Sequence, residues 1–311
     1  MHLAHFLSTS LSISNQEIIT FSSSAPNRYK VYSIPKRTSG KRTIAHPAKK
    51  LKLVQRLLSN HLSTILPVHE SAFAYRKGLG IKDNAQYHMN GRYLLKMDFQ
   101  NFFLSIVPEL LFITLKKNAI EFSEEDEFLM SRLLFWRPSK SSSGKLVLSI
   151  GAPSSPLISN FIMFQFDQEM AAKCKSKGVR YSRYADDLTF STNVKGALFD
   201  LTSLVKELLE KHLLGYIAIN ETKTVFSSKA HNRHVTGVTL TNDGQLSIGR
   251  QRKRFISSLI HQYSLGKLPA EDLSYLQGLI AYANDIEPVF VKRMSKKYSP
   301  QTMDQLIKGV K

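Results

Sequence analysis

Three aspartates carry the chemistry open to this sequence. Asp186 and Asp187 follow Tyr184-Ala185 between two apolar, aromatic-rich runs, residues 179–183 and 188–191. That pattern predicts a β-hairpin with two adjacent carboxylates at its tip. Asp98 closes another strand-like run, residues 93–98. Carboxylates offered from two separate strands can hold two Mg²⁺ ions in the geometry of phosphoryl transfer. One ion lowers the pKa of an attacking 3′-hydroxyl, and the other neutralises the leaving pyrophosphate. An Asp-Asp pair alone is common in turns. A Tyr-x-Asp-Asp hairpin downstream of a strand-ending Asp is a far more restrictive pattern.

The elements that must position these acids can be read from periodicity. Leu51, Val54, Leu58 and Leu62 fall at helical spacing and predict an amphipathic helix over 48–63. Leu201, Leu204, Val205, Leu208, Leu209 and Leu213 predict another over 201–214. Pro153 and Pro156 bracket a turn, and 160–170 reads as a helix with a broad apolar face. One or two helices are expected between Asp98 and Asp186. The serine-rich stretch 139–145 reads as an exposed loop, and 250–311 as mostly helical and basic. Strands and helices alternate irregularly, which suits an α+β domain with an antiparallel sheet backed by helices.

Composition narrows the partner. The chain has 311 residues, 42% of them apolar, enough to bury a large core. Lys and Arg number 43 against 24 Asp and Glu, a formal net charge of +19. Such a surface neutralises phosphates and releases their counterions, so a polyanion is the expected partner. Cys174, the single cysteine, has no internal disulfide partner and no Cys cluster suggests zinc, which fits a reducing cytoplasm. The first fourteen residues lack the basic n-region of a signal peptide. No run approaches the roughly 20 apolar residues of a membrane span.

Six further segments accompany the acids in order: Gly40-Lys41-Arg42-Thr43-Ile44 with Pro47, Asn84-Ala85-Gln86-Tyr87-His88, Asp98-Phe99-Gln100-Asn101-Phe102-Phe103, Gly151-Ala152-Pro153-Ser154-Ser155-Pro156 with Asn160, Asn220-Glu221-Thr222-Lys223-Thr224, and Val235-Thr236-Gly237. Together with the Tyr-x-Asp-Asp hairpin they resemble the reverse transcriptases, and among these the retron enzymes of bacteria. The resemblance runs from about residue 29 to 259. The Asn-Ala-x-x-His and Val-Thr-Gly segments carry the retron likeness. Each is short, but both stand in their places around an intact polymerase core.

The resemblance implies a right-hand polymerase, with fingers over 1–90, palm over 91–240 and a basic, RNA-binding thumb over 241–311. It implies two Mg²⁺ ions on Asp98, Asp186 and Asp187. Phe103 would lie beneath the incoming sugar and exclude a 2′-hydroxyl, favouring dNTPs. Gly151 and Ala152 would border the nucleotide. Arg42, with Lys41 as a weaker candidate, would hold the triphosphate as a multidentate donor. Lys223 would protonate the leaving pyrophosphate or hold it electrostatically. His88 would either tie fingers to palm from a buried position or touch structured RNA. Thr236 would bond a phosphate or the backbone. Arg250, Arg252, Lys253 and Arg254, with Phe255 and Tyr263, would track the RNA. One position departs from the family pattern: Ile150 stands where a Gln usually precedes the glycine and helps position the nucleotide.

The implied reaction is RNA-directed DNA synthesis on a dedicated non-coding RNA, giving branched multicopy single-stranded DNA primed from a 2′-hydroxyl. The implied setting is bacterial antiphage defence with a separate effector protein. Too few residues follow the thumb for an RNase H domain, so template removal is expected to fall to another enzyme. Two other readings use the same residues. One is a reverse transcriptase of the group II intron-like or another defence-associated kind, priming by a different route. The other is an RNA-binding scaffold of weak activity, for which Ile150 is the support.

Overall fold

The chain opens with two helices, α1 (Leu3–Leu11) and α2 (Asn15–Ser24). Ser14 caps α2: its hydroxyl accepts from the Glu17 N–H, while the Glu17 carboxylate accepts from the Ser14 N–H at 2.9 Å, a reciprocal capping box. The structure, a computed structural model, describes residues 2–35, 40–139, 141 and 143–308. Lys140 and Ser142 of the serine-rich loop lie outside the described residues. An antiparallel ribbon of β1 (Tyr29–Pro35) and β2 (Lys41–Pro47) comes next. Helix α3 (Lys49–Leu62) answers the periodicity of 48–63, burying Leu51, Val54, Leu58 and Leu62 along one face. Helix α4 (Ile81–His88) leads into the central sheet.

Strand β3 (Tyr93–Gln100) is the middle of that sheet. Among the described residues, five helices separate it from the hairpin: α5 (Phe102–Ser105), α6 (Pro108–Lys117), α7 (Glu124–Leu134), α8 (Ser155–Ile162) and α9 (Phe164–Ser176). One or two were expected. The shortfall has a physical cause: α5 is one turn, and α8 is buried on most sides, so neither shows a 3.6-residue alternation. The boundary signals were nevertheless present. Pro108 and Pro156 sit in the first turns of α6 and α8, and Ser123 caps α7 ahead of four acidic residues. The helix expected over 160–170 is divided at Met163 into α8 and α9.

The hairpin strands β4 (Arg180–Tyr184) and β5 (Asp187–Thr192) are followed by α10 (Leu201–Leu213), β6 (Ala218–Ile219) and β7 (Val225–Ser228). The sheet runs β4-β5-β3-β6, with β7 paired to the first half of β3, and its pairings are antiparallel. Helix α9 packs on β4, and α10 packs on α9. A small antiparallel sheet of β8 (Arg233–Val235), β9 (Val238–Leu240) and β10 (Leu246–Ser247) then hands over to α11 (Arg250–Ser264), α12 (Ala270–Ile286), α13 (Pro288–Tyr298) and α14 (Pro300–Lys308). This is the expected α+β arrangement.

Two hydrophobic cores result among the described residues. The larger joins α1–α3, α6–α10 and the central sheet. The smaller joins Val235, Val238 and Leu240 to the C-terminal helices, and it also takes in Ala85 of α4 and Leu94 of β3. Helix α4 and the first half of β3 therefore tie the C-terminal region to the sheet that carries the acids.

Candidate active site

Asp98 and Asp187 are directly opposed on neighbouring antiparallel strands β3 and β5. Side chains at such a pair project from the same face, with Cα atoms about 5 Å apart. Tyr184 pairs with Asp187 at the base of the hairpin, so the turn is Ala185-Asp186 alone, with Ala185 at φ 57°. This corrects the expected geometry: only Asp186 stands at the tip, and Asp187 is the first strand residue. The cause is a two-residue turn, whose backbone twist matches the strands it joins. The Phe99 N–H donates to the Asp186 carbonyl at 3.0 Å and fastens the turn to β3.

The charges are poorly solvated and repel one another. Asp98 is 8% exposed. Burial, then the charge of Asp98, raises the pKa of Asp186. Asp187 keeps an exposed edge on the cleft while protein crowds its other sides. Desolvation, then Asp186 and Asp98, lift it to about 7. The Lys223 ammonium, mostly exposed, donates to Asp98 Oδ1 at 2.8 Å. Asp98, Asp187, Lys96, Tyr184, Lys223, Thr236 and Gly237 are among the residues that line a cleft of about 580 Å³.

A buried network that sequence reading missed holds the turn. Arg183 and Asp167 are both fully buried and form a two-pronged ion pair, with Nη2 to Oδ2 at 2.6 Å and Nε to Oδ1 at 3.0 Å. The Tyr181 hydroxyl donates to Asp167 Oδ1 at 2.6 Å. Arg183 Nη1 donates to the Ala185 carbonyl at 3.0 Å and to Asn160 Oδ1 at 3.2 Å. One guanidinium thus fixes the backbone one residue before Asp186 from α8 and α9 at once. No local signal marks the pair, because Asp167 lies on a helix remote in sequence.

Phe103, Gly151 and Ala152 come together, as expected, on the wall of a second cavity of about 240 Å³, with Tyr75, Ile150 and Pro153. Gly151 has φ 124°, and a Cβ there would meet the Ala45 carbonyl oxygen and the Ile44 side chain at 3.2 Å. Glycine is required by conformation and by the close approach of β2. Lys41 and Arg42 are exposed on β2. The Arg42 charge reaches both Asp186 and Tyr75.

The two short motifs pack against each other. Asn84 and His88 lie one turn apart on one face of α4. His88 is fully buried between the Ser191 and Ser182 hydroxyls at 2.7 Å each, and Ser182 donates to Asn84 Oδ1 at 2.6 Å. Burial, then the charge of Arg180, lowers the His88 pKa to about 3. Of its two expected roles, contact with RNA is closed to a side chain with no exposed surface. Val235 and Val238 pair across Thr236-Gly237, both with φ positive at 47° and 81°, as a two-residue hairpin requires. The Thr236 hydroxyl donates to the Ile81 carbonyl at 3.1 Å, so it serves the backbone of α4.

The basic cluster on α11 divides in two. Arg250 and Arg254 are exposed. Arg252 lies over the Tyr282 ring, 5.0 Å from its centroid, and donates to Tyr282 Oη at 3.0 Å and to the Gly237 carbonyl at 3.3 Å. Lys253 pairs with Glu287 at 2.6 Å. Glu287 also accepts from the Ser247 hydroxyl and the Ile248 N–H.

The acids suit a divalent cation. Among the described residues no group of three His, Cys, Asp or Glu closes into a cage for a metal. Mg²⁺ does not need one: it retains waters and takes one or two carboxylates plus substrate phosphates. Hard oxygen donors crowded together fit that role: burial, then neighbouring carboxylates, raises the pKa values of Asp186 and Asp187, and a cation relieves the repulsion. No helix among the described residues is long and apolar enough to cross a membrane.

Residues 34–240 match the family model described as reverse transcriptase (RNA-dependent DNA polymerase). The chain is 48% identical over 280 residues to the retron Ec83 reverse transcriptase of Escherichia coli, covering 90% of each chain. It is 35% identical over 283 residues to the retron Ec73 reverse transcriptase of the same organism, covering 88% of each. The fold is similar to telomerase from Candida albicans, with TM-score 0.50 at 13% identity, spanning 91% of this chain and 61% of that one.

Proposed function

Because the chain belongs to the reverse transcriptases, RNA-directed DNA polymerases here of the retron kind, we propose that it copies a dedicated structured non-coding RNA into branched, multicopy single-stranded DNA by two-metal nucleotidyl transfer. The carrying observation is the opposition of Asp98 and Asp187 across β3 and β5, with Asp186 in the adjoining turn. These three acids would hold two Mg²⁺ ions, which supply hydroxyl activation and charge neutralisation at the pyrophosphate. The protein contributes the rest. Arg42, seconded by Lys41, grips the triphosphate from the β1–β2 ribbon. Phe103 sits beneath the sugar, and Gly151-Ala152 lets the backbone come close to the nucleotide. Lys223, which donates to Asp98 at 2.8 Å, would hold or protonate the leaving group.

In this reading residues 1–90 are fingers, 91–240 palm and 241–311 thumb. Arg250 and Arg254 meet the RNA backbone, while Arg252, Lys253 and Thr236 shape the surface they stand on. The family likeness supports priming from an RNA 2′-hydroxyl, a cytoplasmic site of action, and an antiphage role in which RNA–DNA product and enzyme restrain a separate effector protein. The test has two arms. Asp186→Ala with Asp187→Ala is expected to abolish DNA synthesis while leaving RNA binding nearly intact; residual synthesis would overturn the metal assignment. Nucleic acid co-purified after expression with the flanking locus should contain a discrete DNA whose mobility shifts on 2′–5′ debranching. Unbranched DNA would point to another priming route, and RNA alone to a scaffold.

A further inference from the structure

Tyr75 is a bulky residue held in a strained conformation near the acids. Its φ is 63°, a left-handed conformation that costs an aromatic residue free energy and that persists only where the surroundings impose it. The surroundings do so here. The Ala74 carbonyl before it accepts from Asn160 Nδ2 at 3.0 Å. The Phe73 N–H donates to the Arg183 carbonyl at 2.8 Å, and Ala72 bridges to Arg183. The segment is therefore clamped to the network that fixes the Asp186 turn.

The clamp leaves Tyr75 53% exposed on the wall of the 240 Å³ cavity, beside Phe103, Ile150 and Gly151. Its phenol lies within electrostatic range of both Asp186 and Arg42, the cation proposed for the triphosphate. In the same cavity wall the Ser155 hydroxyl, 1% exposed, has no hydrogen-bond partner among the described residues. Ile150 has no side-chain hydrogen bond to offer. The cavity thus pairs an apolar wall with a flat ring held at a conformational cost.

We propose that Tyr75 is a nucleotide-binding residue of the polymerase, its ring packing on the base of the incoming nucleotide in this cavity. Packing of this kind tolerates all four bases, because each has a π-face. The proposal rests on the assignment of this cavity to the nucleotide made above.

Steady-state DNA synthesis on a fixed RNA template and DNA primer tests it. Tyr75→Gly relieves the backbone strain, so its melting temperature should not fall below the parent's. Its KM for dNTPs should nevertheless rise about 5- to 150-fold, the range expected for loss of one base–aromatic stack. The Kd for template–primer should stay unchanged, and Tyr75→Phe should retain the parental KM. An unchanged KM in Tyr75→Gly overturns the proposal, as does a rise that merely follows weaker template–primer binding. Equal losses in Tyr75→Phe and Tyr75→Gly overturn ring packing in favour of the hydroxyl. Arg42→Ala separates the two levels. If it leaves the dNTP KM untouched, the nucleotide assignment itself fails. If Arg42→Ala raises KM and Tyr75→Gly does not, only the role of Tyr75 fails.

Discussion

A carboxyl that releases its proton near pH 7 is still half protonated at neutrality, and a protonated oxygen is a poor ligand for a hard cation. Asp187 is such a group, lifted to about 7 by desolvation and by Asp186 and Asp98. Asp186 is raised too, by burial and then by the charge of Asp98, and cation uptake must displace the proton that Asp187 holds. The Mg²⁺ concentration that half-saturates DNA synthesis should therefore fall about tenfold between pH 6 and pH 8, measured at saturating dNTP; a pH-independent requirement would sink the argument. The effect on folding has the opposite sense to the usual aspartate. The folded pKa lies above the ordinary 3.8, so without cations the native state holds a proton that the unfolded chain gives up. Stability falls as pH rises from about 4 to 7. His88 runs the other way. Its folded pKa of about 3 lies below the ordinary 6.5, so its contribution is complete above pH 6.5 and is lost as pH drops toward 3. Denaturant unfolding of the parent and of His88→Gln should show the gap between them narrowing by about 2 kcal/mol from pH 7 to pH 5. A gap independent of pH would mean that His88 is not held neutral in the folded state.

At the scale of elements, the site is a two-residue hairpin turn steadied from behind, and the two parts differ in how they could be read. The apolar, aromatic-rich runs 179–183 and 188–191 announced a hairpin, and the leucine spacings announced α3 and α10, because each signal lies within one element. Which acid sits in the turn depended on strand register. Tyr184 and Asp187 pair directly, and two flanking apolar runs do not by themselves fix that. The Arg183–Asp167 pair was illegible for a deeper reason: a buried charge is intelligible only with its partner, and the partner arrives through the packing of α9 on β4. That packing has a measurable signature. Asp167→Asn leaves a buried guanidinium uncompensated and should cost about 3–5 kcal/mol of stability. Replacing both partners, Arg183→Met with Asp167→Leu, should recover much of that loss. It should not recover kcat, since the donor to the Ala185 carbonyl is gone. Full recovery of both would reduce the network to packing. The Thr236-Gly237 turn gives a contrasting case. A Cβ at Gly237 meets nothing within 4 Å, so Gly237→Ala should cost only the left-handed penalty, about 1–2 kcal/mol. A larger loss in unfolding experiments would mean that the substitution also disturbs the turn's hydrogen bonds to Ile81 and Arg252.

Over the whole molecule, a formal charge of +19 made a polyanionic partner legible from composition, but composition cannot say which cations are available to it. The fold sorts them. Arg252 is spent on Tyr282 and Gly237, and Lys253 on Glu287, which in turn binds the Ser247 hydroxyl and the Ile248 N–H at the entry to α11. These two cations therefore orient the C-terminal helices against β8–β10, the sheet whose valines share a core with α4 and β3. Arg250 and Arg254 are exposed and stand in that prepared position. The two pairs should separate experimentally. Neutralising Arg250 and Arg254 together by Gln should weaken binding of the co-purifying RNA and reduce the slope of log K against log salt by about 1.5–2, as expected when two phosphates keep their counterions in the complex, with the melting temperature unchanged. Neutralising Arg252 and Lys253 should lower the melting temperature and leave the salt slope near the parental value, because charges already paired within the protein release few counterions on binding. If the second pair changes the slope as much as the first, Lys253 exchanges Glu287 for phosphate when RNA binds, and the C-terminal helices must shift relative to the sheet in the complex.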